Sequence, residues 1–405
     1  MSIFDNAWVA PPDPILGVTD LFKADHRPVK ANLGVGIYQD EAGNLPLLEC
    51  VRRAEQELAA KPSPRPYLPI DGGVAYTELT RDLVLGGFQE GIDIRSAITV
   101  QTLGGSGAVK VGGDLLYSLG ARQVLVSDPT WDNHLPILGG CGLSLGRYRY
   151  FDDALHGVNF DAMLTDISAA DPGTVIVLHA CCHNPTGFDL THDQWAQLID
   201  VLEEDELIAF VDMAYQGFAV GIDADAWPVR EIARRRLPLL CANSFSKTFG
   251  LYGERVGGLT IVADNLDQAL ALRSQAKLRV RANYSNPPTH GQAIVSMVLY
   301  SDELRALWVQ EVDAMRERIH EMRAGLVAGL RDAGLDGDFS YVLQQQGMFS
   351  YLGLTPAQMI RLREEFAVYG VESGRLCVTG LNTANLGWVC QAIATVMGAQ
   401  EGVAK

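Results

Sequence analysis

Short apolar runs rich in β-branched residues recur along the chain from about residue 98. Several segments between them carry the apolar period of amphipathic helices, and the clearest begins after Thr191, which can form a capping box with Gln194. Strands that alternate with helices favour a mostly parallel sheet covered by helices, so the pattern predicts an α/β fold. The apolar runs are 98–100, 124–126, 174–178, 207–211, 237–240 and 258–262.

Polar clusters follow these runs directly. Ligands of open α/β sheets bind beyond the carboxyl ends of the strands, so clusters in this position predict one shared site. The clusters are Gly-Gly-Ser-Gly at 104–107, Asp-Pro-Thr-Trp at 128–131, and residues 179–187, 212–215 and 244–247.

The two ends of the chain have different patterns. Residues 1–45 are interrupted by proline and glycine, which predicts an extended arm and then a glycine-containing loop. Residues 61–67, Lys-Pro-Ser-Pro-Arg-Pro-Tyr, favour polyproline geometry. A long helix is predicted from the N-cap Ser301 to Gly334. A second helix, with a capping box at Thr355, is predicted to stop near Gly370 within a smaller α+β segment.

Composition narrows the possible partners. The 405 residues are 48% hydrophobic and 20% charged, as expected for a globular protein with more than one domain. A formal net charge of −17 disfavours binding to nucleic acid or anionic membranes. There are seven cysteines but no Cys-x-x-Cys pair, no signal-peptide pattern and no apolar run of membrane-spanning length. We therefore expect reduced thiols and a cytoplasmic location.

Lys247 is the candidate reactive group. It follows the run 237–241 within Ala-Asn-Ser-Phe-Ser-Lys-Thr-Phe-Gly at 242–250. A loop after a buried strand keeps a lysine short of water, which lowers the pKa of an ammonium and makes the amine nucleophilic. The hydroxyls of Ser244 and Ser246 and the guanidinium of Arg255 suit a phosphate, so the set predicts a phosphorylated aldehyde held as a Schiff base. For a lone lysine, an ordinary surface position is the alternative.

Three other motifs leave alternatives open. Gly-Gly-Ser-Gly-Ala at 104–108 suits a phosphate at a helix N-terminus, but it is neither a Walker A nor a dinucleotide fingerprint and equally fits a tight turn. His-Ala-Cys-Cys-His at 179–183 invites a zinc site, yet no second ligand pair has suitable spacing, so no metal is expected. Ser-Phe-Ser-Lys at 244–247 fits a serine-acylating enzyme, an alternative weakened by the missing downstream Lys-Thr-Gly.

Four long motifs resemble class I aminotransferases, the pyridoxal-phosphate enzymes of the aspartate and aromatic-amino-acid subgroup. The resemblance extends from Asn-Leu-Gly-Val-Gly at 32–36 to the C-terminal helix. The motifs are Asn-Ser-Phe-Ser-Lys-Thr-Phe-Gly-Leu-Tyr-Gly-Glu-Arg-Val-Gly-Gly at 243–258, Cys-Cys-His-Asn-Pro-Thr-Gly at 181–187, Ala-Asn-Tyr-Ser-Asn-Pro-Pro at 282–288 and Gly-Arg-Leu-Cys-Val-Thr-Gly at 374–380.

The resemblance also bears on the substrate. Segments 101–107, 127–131 and 380–385 are more similar to bacterial aromatic-amino-acid (tyrosine) aminotransferase, whereas Asn286 is more similar to the aspartate enzyme. This implies ping-pong transamination of phenylalanine, tyrosine and tryptophan with 2-oxoglutarate and glutamate, with aspartate also accepted. A dedicated aspartate aminotransferase is the alternative.

For the architecture, the resemblance implies a fold-type-I homodimer with shared active sites. A large domain at 46–313 would carry a seven-stranded, mostly parallel sheet covered by helices and bind the cofactor. A smaller, discontinuous α+β domain would combine 15–45 with 314–405, and residues 1–14 would form an arm. The partners implied are amino acids and 2-oxo acids, with no nucleic acid and no membrane.

For the cofactor, pyridoxal 5′-phosphate, the resemblance implies that Lys247 forms the internal aldimine and moves the proton between the substrate Cα and the cofactor C4′. Asp212, supported by His134 and His179, would keep the pyridine nitrogen protonated. The other implied contacts are Trp131 on the ring, Asn184 and Tyr215 at the 3′-oxygen, Gly105, Ser106, Ser244, Ser246 and Arg255 at the phosphate, and Tyr67 of the partner subunit at the same phosphate.

For the substrate, the resemblance implies that Arg375 pairs with the α-carboxylate and Arg281 of the partner subunit with a distal carboxylate. The planar guanidinium fork suits both roles. Gly36, Trp131 and Asn184 would line the pocket. In a chain with a net charge of −17, a dicarboxylate site needs such dedicated arginines.

Two other functions are compatible with the same general features. One is a pyridoxal-phosphate lyase or decarboxylase of the same fold. The other is a non-catalytic module, such as the ligand-sensing half of a transcription regulator. That module would need a DNA-binding segment, which neither the first 45 residues nor the acidic charge suggests.

Overall fold

The computed structural model describes residues 2–10, 13, 15–87 and 91–398. Outside the described residues lie 1, 11, 12 and 14 of the expected arm, 88–90 of the expected large domain and 399–405 of the expected small domain. Contacts between Cα atoms divide the chain into two units. The larger comprises Leu45–His320 and Gln344–Met348, and the smaller comprises the described residues up to Asn44, Glu321–Leu343 and those from Phe349 onwards. The domain boundaries expected above stay a prediction.

A seven-stranded sheet forms the framework of the larger unit. In chain order the strands are β1 (Ala97–Leu103), β2 (Gln123–Asp128), β3 (Ser144–Arg149), β4 (Val175–His179), β5 (Ile208–Met213), β6 (Leu239–Ser244) and β7 (Val256–Val262). Their order in the sheet is β1-β7-β6-β5-β4-β2-β3, with β7 antiparallel to both neighbours and the other adjacent pairs parallel. The predicted mostly parallel α/β fold is confirmed.

Strand β3 is the one that no apolar run indicated. It lies at the edge of the sheet, and most of its side chains are exposed or half-buried. An edge strand pairs on one side only, so it need not carry the continuous apolar run typical of a central parallel strand.

Helices cover both faces of the sheet. Consecutive residues of β5, Phe210 and Val211, belong to different buried clusters because successive side chains of a strand point to opposite faces. The cluster containing Phe210 includes residues of the helix after β1, and the other includes residues of the helix capped by Thr191. The seven cysteines are buried thiols.

The helices of the larger unit follow the predicted alternation with strands. The capping box between Thr191 and Gln194 is present, and the Ser301 hydroxyl accepts from the Leu304 amide, so both predicted helix starts are confirmed. These helices are Glu49–Ala60, Val74–Leu85, Gly104–Leu119, His134–Gly139, Phe160–Ser168, His192–Glu204, Ile222–Asp225, Trp227–Arg234, Leu266–Asn283, His290–Tyr300 and Asp302–Asp332, the last of which continues into residues of the smaller unit.

The smaller unit combines short strands with helices. Ala31–Asn32 pairs with Val368–Tyr369 in parallel, and Phe349–Tyr351 pairs with Arg375–Cys377 in antiparallel orientation. The helix capped by Thr355 ends at Phe366, earlier than the predicted stop near Gly370, because the chain reverses at Ala367 (φ 55°) and enters a strand. The helices of this unit are Leu16–Ala24, Pro356–Phe366 and Leu386–Gly398.

No helix among the described residues is both long enough and apolar enough to cross a membrane.

Candidate active site

The loop that carries Lys247 is fixed by aromatic packing. It follows β6, and the buried rings of Phe245 and Phe249 meet edge to face with centroids 5.2 Å apart. Phe249 also stacks on Trp308 at 4.7 Å, and the indole nitrogen of Trp308 donates to the Thr248 carbonyl at 2.8 Å. The loop backbone is therefore held on both sides of Lys247, whose own side chain is half-buried.

The amine of Lys247 faces two tyrosine rings. Its Nζ lies 4.8 Å from the centre of the Tyr252 ring and 5.8 Å from the centre of the Tyr215 ring. All three residues line one cleft.

Hydroxyl and guanidinium groups gather at one end of this cleft. The Ser244 hydroxyl donates to the Ser246 hydroxyl at 3.1 Å, and Arg255 Nη1 donates to the same Ser246 oxygen at 3.4 Å. Beside them, the helix Gly104–Leu119 begins, and Gly105 and Ser106 of its first turn line the same cleft. Free amides of a first helical turn favour an anion, so this end suits a phosphate.

Gly104 makes the close approach at this end possible. Its φ is +67°, and an added Cβ would lie 2.7 Å from Arg255 Nη2. A side chain here would both strain the backbone and displace the guanidinium. Of the two readings of the glycine-rich motif, the position of this helix start at the cleft supports the phosphate site over a simple turn.

Asp212 lines the same cleft and is paired with His134. Asp212, at the end of β5, is 7% exposed, and its Oδ2 lies 3.1 Å from His134 Nε2. Because a carboxylate oxygen accepts, that ring nitrogen carries a hydrogen, and the Thr130 hydroxyl at 2.8 Å can then donate to Nδ1 of a neutral ring. The carboxylate is thus oriented within a buried network.

His179 lies beside this pair without hydrogen-bonding to it. Its ring centre is 5.3 Å from that of His134, and neither ring nitrogen has a hydrogen-bond partner among the described residues. Burial, together with the nearby His134, lowers the pKa of His179 to about 3, so the ring is neutral near pH 7.

The next histidine along the chain, His183, is also buried. Its ring nitrogens lie near the Ser127 and Thr186 hydroxyls, and burial holds its pKa well below the usual value.

Three other predicted residues line the same cleft. Asn184 and Tyr215 are each 6% exposed, and Trp131 meets His134 edge to face at 5.2 Å. The cleft therefore combines an amine, a buried carboxylate, an aromatic surface and a phosphate-binding end, which fits an aromatic aldehyde that bears a phosphate. The full lining is Gly105, Ser106, Trp131, His179, Asn184, Asp212, Ala214, Tyr215, Ser244, Ser246, Lys247, Tyr252 and Arg255.

Tyr67 and Arg281 are absent from the described lining of this cleft. They belong to a second region of the larger unit, here called the Tyr67 surface. It consists of residues 65–67 and 284–289, which line a second cleft, together with Arg281, which contacts Ser285. Tyr67 is 90% exposed, Arg281 is also exposed, and Arg281 Nη1 donates to the Ser285 hydroxyl. The side-chain amide of Asn286 donates to the Leu68 carbonyl at 2.7 Å, which joins the two chain segments.

Arg375 and Gly36 belong to the smaller unit. Arg375 is 3% exposed, its Nη2 donates to the Gly34 carbonyl at 2.7 Å, and its guanidinium carbon lies 4.3 Å from the centre of the Phe349 ring. The Cys377 amide donates to the Leu33 carbonyl, which ties the segment that carries Gly36 to the strand that carries Arg375. The guanidinium is therefore oriented by its own unit.

A family model described as aminotransferase class I and II matches residues 28–393. The chain belongs to this family. The predicted family is confirmed, and the chain is an aminotransferase of the pyridoxal-phosphate-dependent α/β fold that the sequence predicted.

Aminotransferases of both expected specificities are similar to this chain. The aspartate aminotransferase of Pseudomonas aeruginosa is 47% identical over 98% of this chain and 100% of its own length. The aromatic-amino-acid aminotransferase of Escherichia coli is 46% identical over 95% of this chain and 98% of its own length. The crystal structure of the aromatic-amino-acid aminotransferase from Burkholderia pseudomallei, covalently bound to pyridoxal phosphate, matches with a TM-score of 0.95 and 51% identity over 98% of this chain and 100% of that chain.

Two features of this region were not predicted. Tyr252 lies within the motif at 243–258, but its ring had no assigned role, because the sequence does not show that the turn after the lysine folds back over the amine. The resemblance grouped His134 and His179 with Asp212, but it did not indicate that their ligand atoms lie within 4.8 Å of one another and could hold a metal ion. Periodicity could not reveal this arrangement, since His134 begins a helix, whereas His179 and Asp212 lie in β4 and β5.

Proposed function

We propose that the protein catalyses ping-pong transamination of aromatic amino acids with 2-oxoglutarate and glutamate as the partner pair, and that it also accepts aspartate. The observation that carries this proposal is the cleft that Lys247 lines together with Asp212 and the hydroxyl and guanidinium groups, with Asp212 in turn hydrogen-bonded to His134. Relatives named for aromatic and for aspartate specificity, at 46% and 47% identity, support both substrate classes.

Pyridoxal phosphate, when bound, supplies the electron sink that makes the substrate Cα acidic. The phosphate would be bound by Gly105, Ser106, Ser244, Ser246 and Arg255. The hydrogen bonds among Ser244, Ser246 and Arg255 orient these groups before the ligand enters, which lowers the entropic cost of binding.

Asp212 would hold a proton on the ring nitrogen, and the hydrogen from His134 keeps the carboxylate aligned for that task. His179 acts only as a neutral neighbour, since its pKa lies near 3. Trp131 would cover the aromatic face, and Asn184 and Tyr215 would bind the ring oxygen.

Lys247 would bind the cofactor covalently and, after substrate displaces it, remove the proton from the substrate Cα and return it during the second half of the reaction. A general base of this kind must alternate between charged and neutral forms. The half-buried position of Nζ between two rings limits its contact with water.

For the substrate, Arg375 would bind the α-carboxylate, with Gly36, Trp131 and Asn184 lining the pocket. The Gly34 carbonyl and the Phe349 ring support this role because they hold the guanidinium in one orientation. Arg281 of the partner subunit would bind the distal carboxylate of a dicarboxylic substrate.

The Tyr67 surface supports a homodimer with shared sites. Tyr67 and Arg281 are exposed together in a region apart from the described cleft lining. Ile3, Phe4, Trp8 and Val9, near the chain start, are also highly exposed, as expected for an arm that packs on a second copy. We also propose two domains, divided at 45/46 and 313/314, and a cytoplasmic location.

The alternative is a dedicated aspartate aminotransferase. It is favoured by Asn286, which resembles that enzyme and whose amide binds the Leu68 carbonyl beside Tyr67. Leaving Arg281 buried and unpaired beside an uncharged ring would be costly, so a dual-specificity enzyme must let this arginine move away or be screened.

The test is a comparison of amino donors. Purified protein is loaded with pyridoxal phosphate, freed of excess by gel filtration, and assayed with phenylalanine, tyrosine and aspartate against 2-oxoglutarate. We expect a retained visible absorbance and kcat/KM values for the aromatic donors at least equal to that for aspartate. A preference for aspartate of about 100-fold or more, equal to ~2.7 kcal/mol in the barrier, would establish the alternative. Transfer from none of the donors would overturn both.

A further inference from the structure

Tyr252 presents its ring to the amine of Lys247. The distance from Nζ to the ring centre, 4.8 Å, lies within the range of about 6 Å in which an aromatic face stabilises an ammonium. Tyr215, at 5.8 Å, is near the limit of that range, so Tyr252 is the closer of the two rings.

The backbone of Tyr252 has a separate and complementary contact. Its carbonyl accepts from Arg255 Nη1 at 3.1 Å, the same nitrogen that reaches the Ser246 hydroxyl. Arg255 itself has a φ of 55°, so the turn after Lys247 bends back sharply at this point. One residue thus contacts the phosphate-binding arginine through its main chain and the amine through its side chain.

We propose that Tyr252 is a positioning residue for Lys247, whose protonated amine its ring stabilises while the lysine holds the proton taken from the substrate. This inference rests on the proposed function, because it concerns the proton that transamination requires Lys247 to carry. A ring face attracts the ammonium and not the neutral amine, so it favours retention of the proton at Nζ until the proton is returned.

Other titratable and charged groups line the same cleft as this amine. They are Asp212, His179, Tyr215 and Arg255. None of them is altered by a substitution at position 252, so the effect of the ring can be measured against a constant background.

The test compares Tyr252→Phe with Tyr252→Leu and Tyr252→Met. Phenylalanine keeps the ring face, whereas leucine and methionine remove it, and all three keep the carbonyl that binds Arg255. Each protein is loaded with pyridoxamine 5′-phosphate, which leaves the lysine amine unbonded, and is briefly treated with acetic anhydride across a range of pH. Mass spectrometry then gives the acetylated fraction of Lys247, with Lys61, whose side chain is 76% exposed, as the internal reference.

We expect wild type and Tyr252→Phe to share one labelling midpoint. Without the ring the ammonium is less stabilised, so the amine becomes reactive at lower pH, and the midpoint should fall by about one pH unit in Tyr252→Leu and Tyr252→Met. Equal midpoints in all four proteins, or an equal shift in Tyr252→Phe, would overturn the proposal. If no protein retained pyridoxamine phosphate, the proposed function would fail and this inference with it, whereas retention with unchanged midpoints would refute this inference alone.

Discussion

The cleft and the Tyr67 surface are built in opposite ways. In the cleft, Asp212 is almost fully buried and held by His134, and Lys247 lies between rings on a loop fixed by packing. On the Tyr67 surface, Tyr67 is 90% exposed, and Arg281 contacts a serine from its own segment. The groups around Lys247 are thus oriented within the chain, whereas Tyr67 and Arg281, expected at the cofactor phosphate and at a second carboxylate of a neighbouring copy, are exposed outside the described cleft lining.

The largest expected effect is that of Lys247→Ala, since it removes the proton-carrying group from the cleft. We predict that kcat for transamination falls by at least about 10³-fold, the range typical of a general acid–base group. Steady-state and single-turnover assays measure the change, and the protein should still bind pyridoxal phosphate non-covalently. Lys61→Ala, which removes an exposed lysine paired with Glu57, is the matched control and should leave kcat unchanged. A similar kcat for Lys247→Ala and wild type would contradict the assigned role.

Arg281→Leu should affect one class of substrate. We predict that kcat/KM falls by about 10- to 100-fold for aspartate, because a charge-assisted hydrogen bond to its distal carboxylate is lost, and much less for phenylalanine. Steady-state kinetics with both donors measure the ratio. Equal losses for the two donors would rule out the specificity role.

Mixing two variants that are each impaired with aspartate tests whether Arg281 acts across subunits. A dimer that combines one Lys247→Ala chain with one Arg281→Leu chain should contain one site with both native residues if the sites are shared. Aspartate activity should then reappear after the two proteins are dissociated and reassociated together. If Arg281 served its own chain, every site would lack one residue, and no activity would be gained.

The smallest expected effect is a pH dependence of stability that arises within the cleft. His179 has its pKa lowered from 6.5 to about 3 by burial, so the folded protein keeps the ring neutral while the unfolded chain binds a proton below pH 6.5. Stability is therefore lost as pH falls through this window, by up to about 1.4 kcal/mol per pH unit. Urea unfolding at pH 7.5 and pH 5.5 should show a smaller loss for His179→Asn than for wild type. Equal losses would mean that burial does not suppress protonation here.

The fold and the cleft differ in how far the sequence predicts them. Central strands are continuous apolar runs, and polar clusters follow them, so the α/β fold and the shared edge could be predicted without a structure. The edge strand β3 could not, because it pairs on one side and exposes most of its side chains. The early end of the helix at Phe366 was also missed, since it depends on Ala367 adopting a left-handed conformation so that the next residues can pair with Ala31–Asn32.

Spatial neighbours that are distant in sequence were the least predictable. The ring of Tyr252 faces Lys247 across the turn that contains Gly250, whose φ is +65°. No apolar or polar period in the sequence predicts the direction of that turn. His134, in the helix after β2, pairs with Asp212 of β5, and only the resemblance to a family pointed to this pairing. Local patterns specify elements, whereas long-range geometry depends on the packed sheet.

Borohydride trapping tests the central claim most directly. The protein is loaded with pyridoxal phosphate, reduced, digested and analysed by mass spectrometry to locate the cofactor. We predict one modified peptide, the one that contains Lys247. When phenylalanine is added before reduction without an oxo acid, Lys247 should not be modified, since the substrate then displaces the lysine. Modification of another lysine in place of Lys247, or of no lysine at all, would contradict the account.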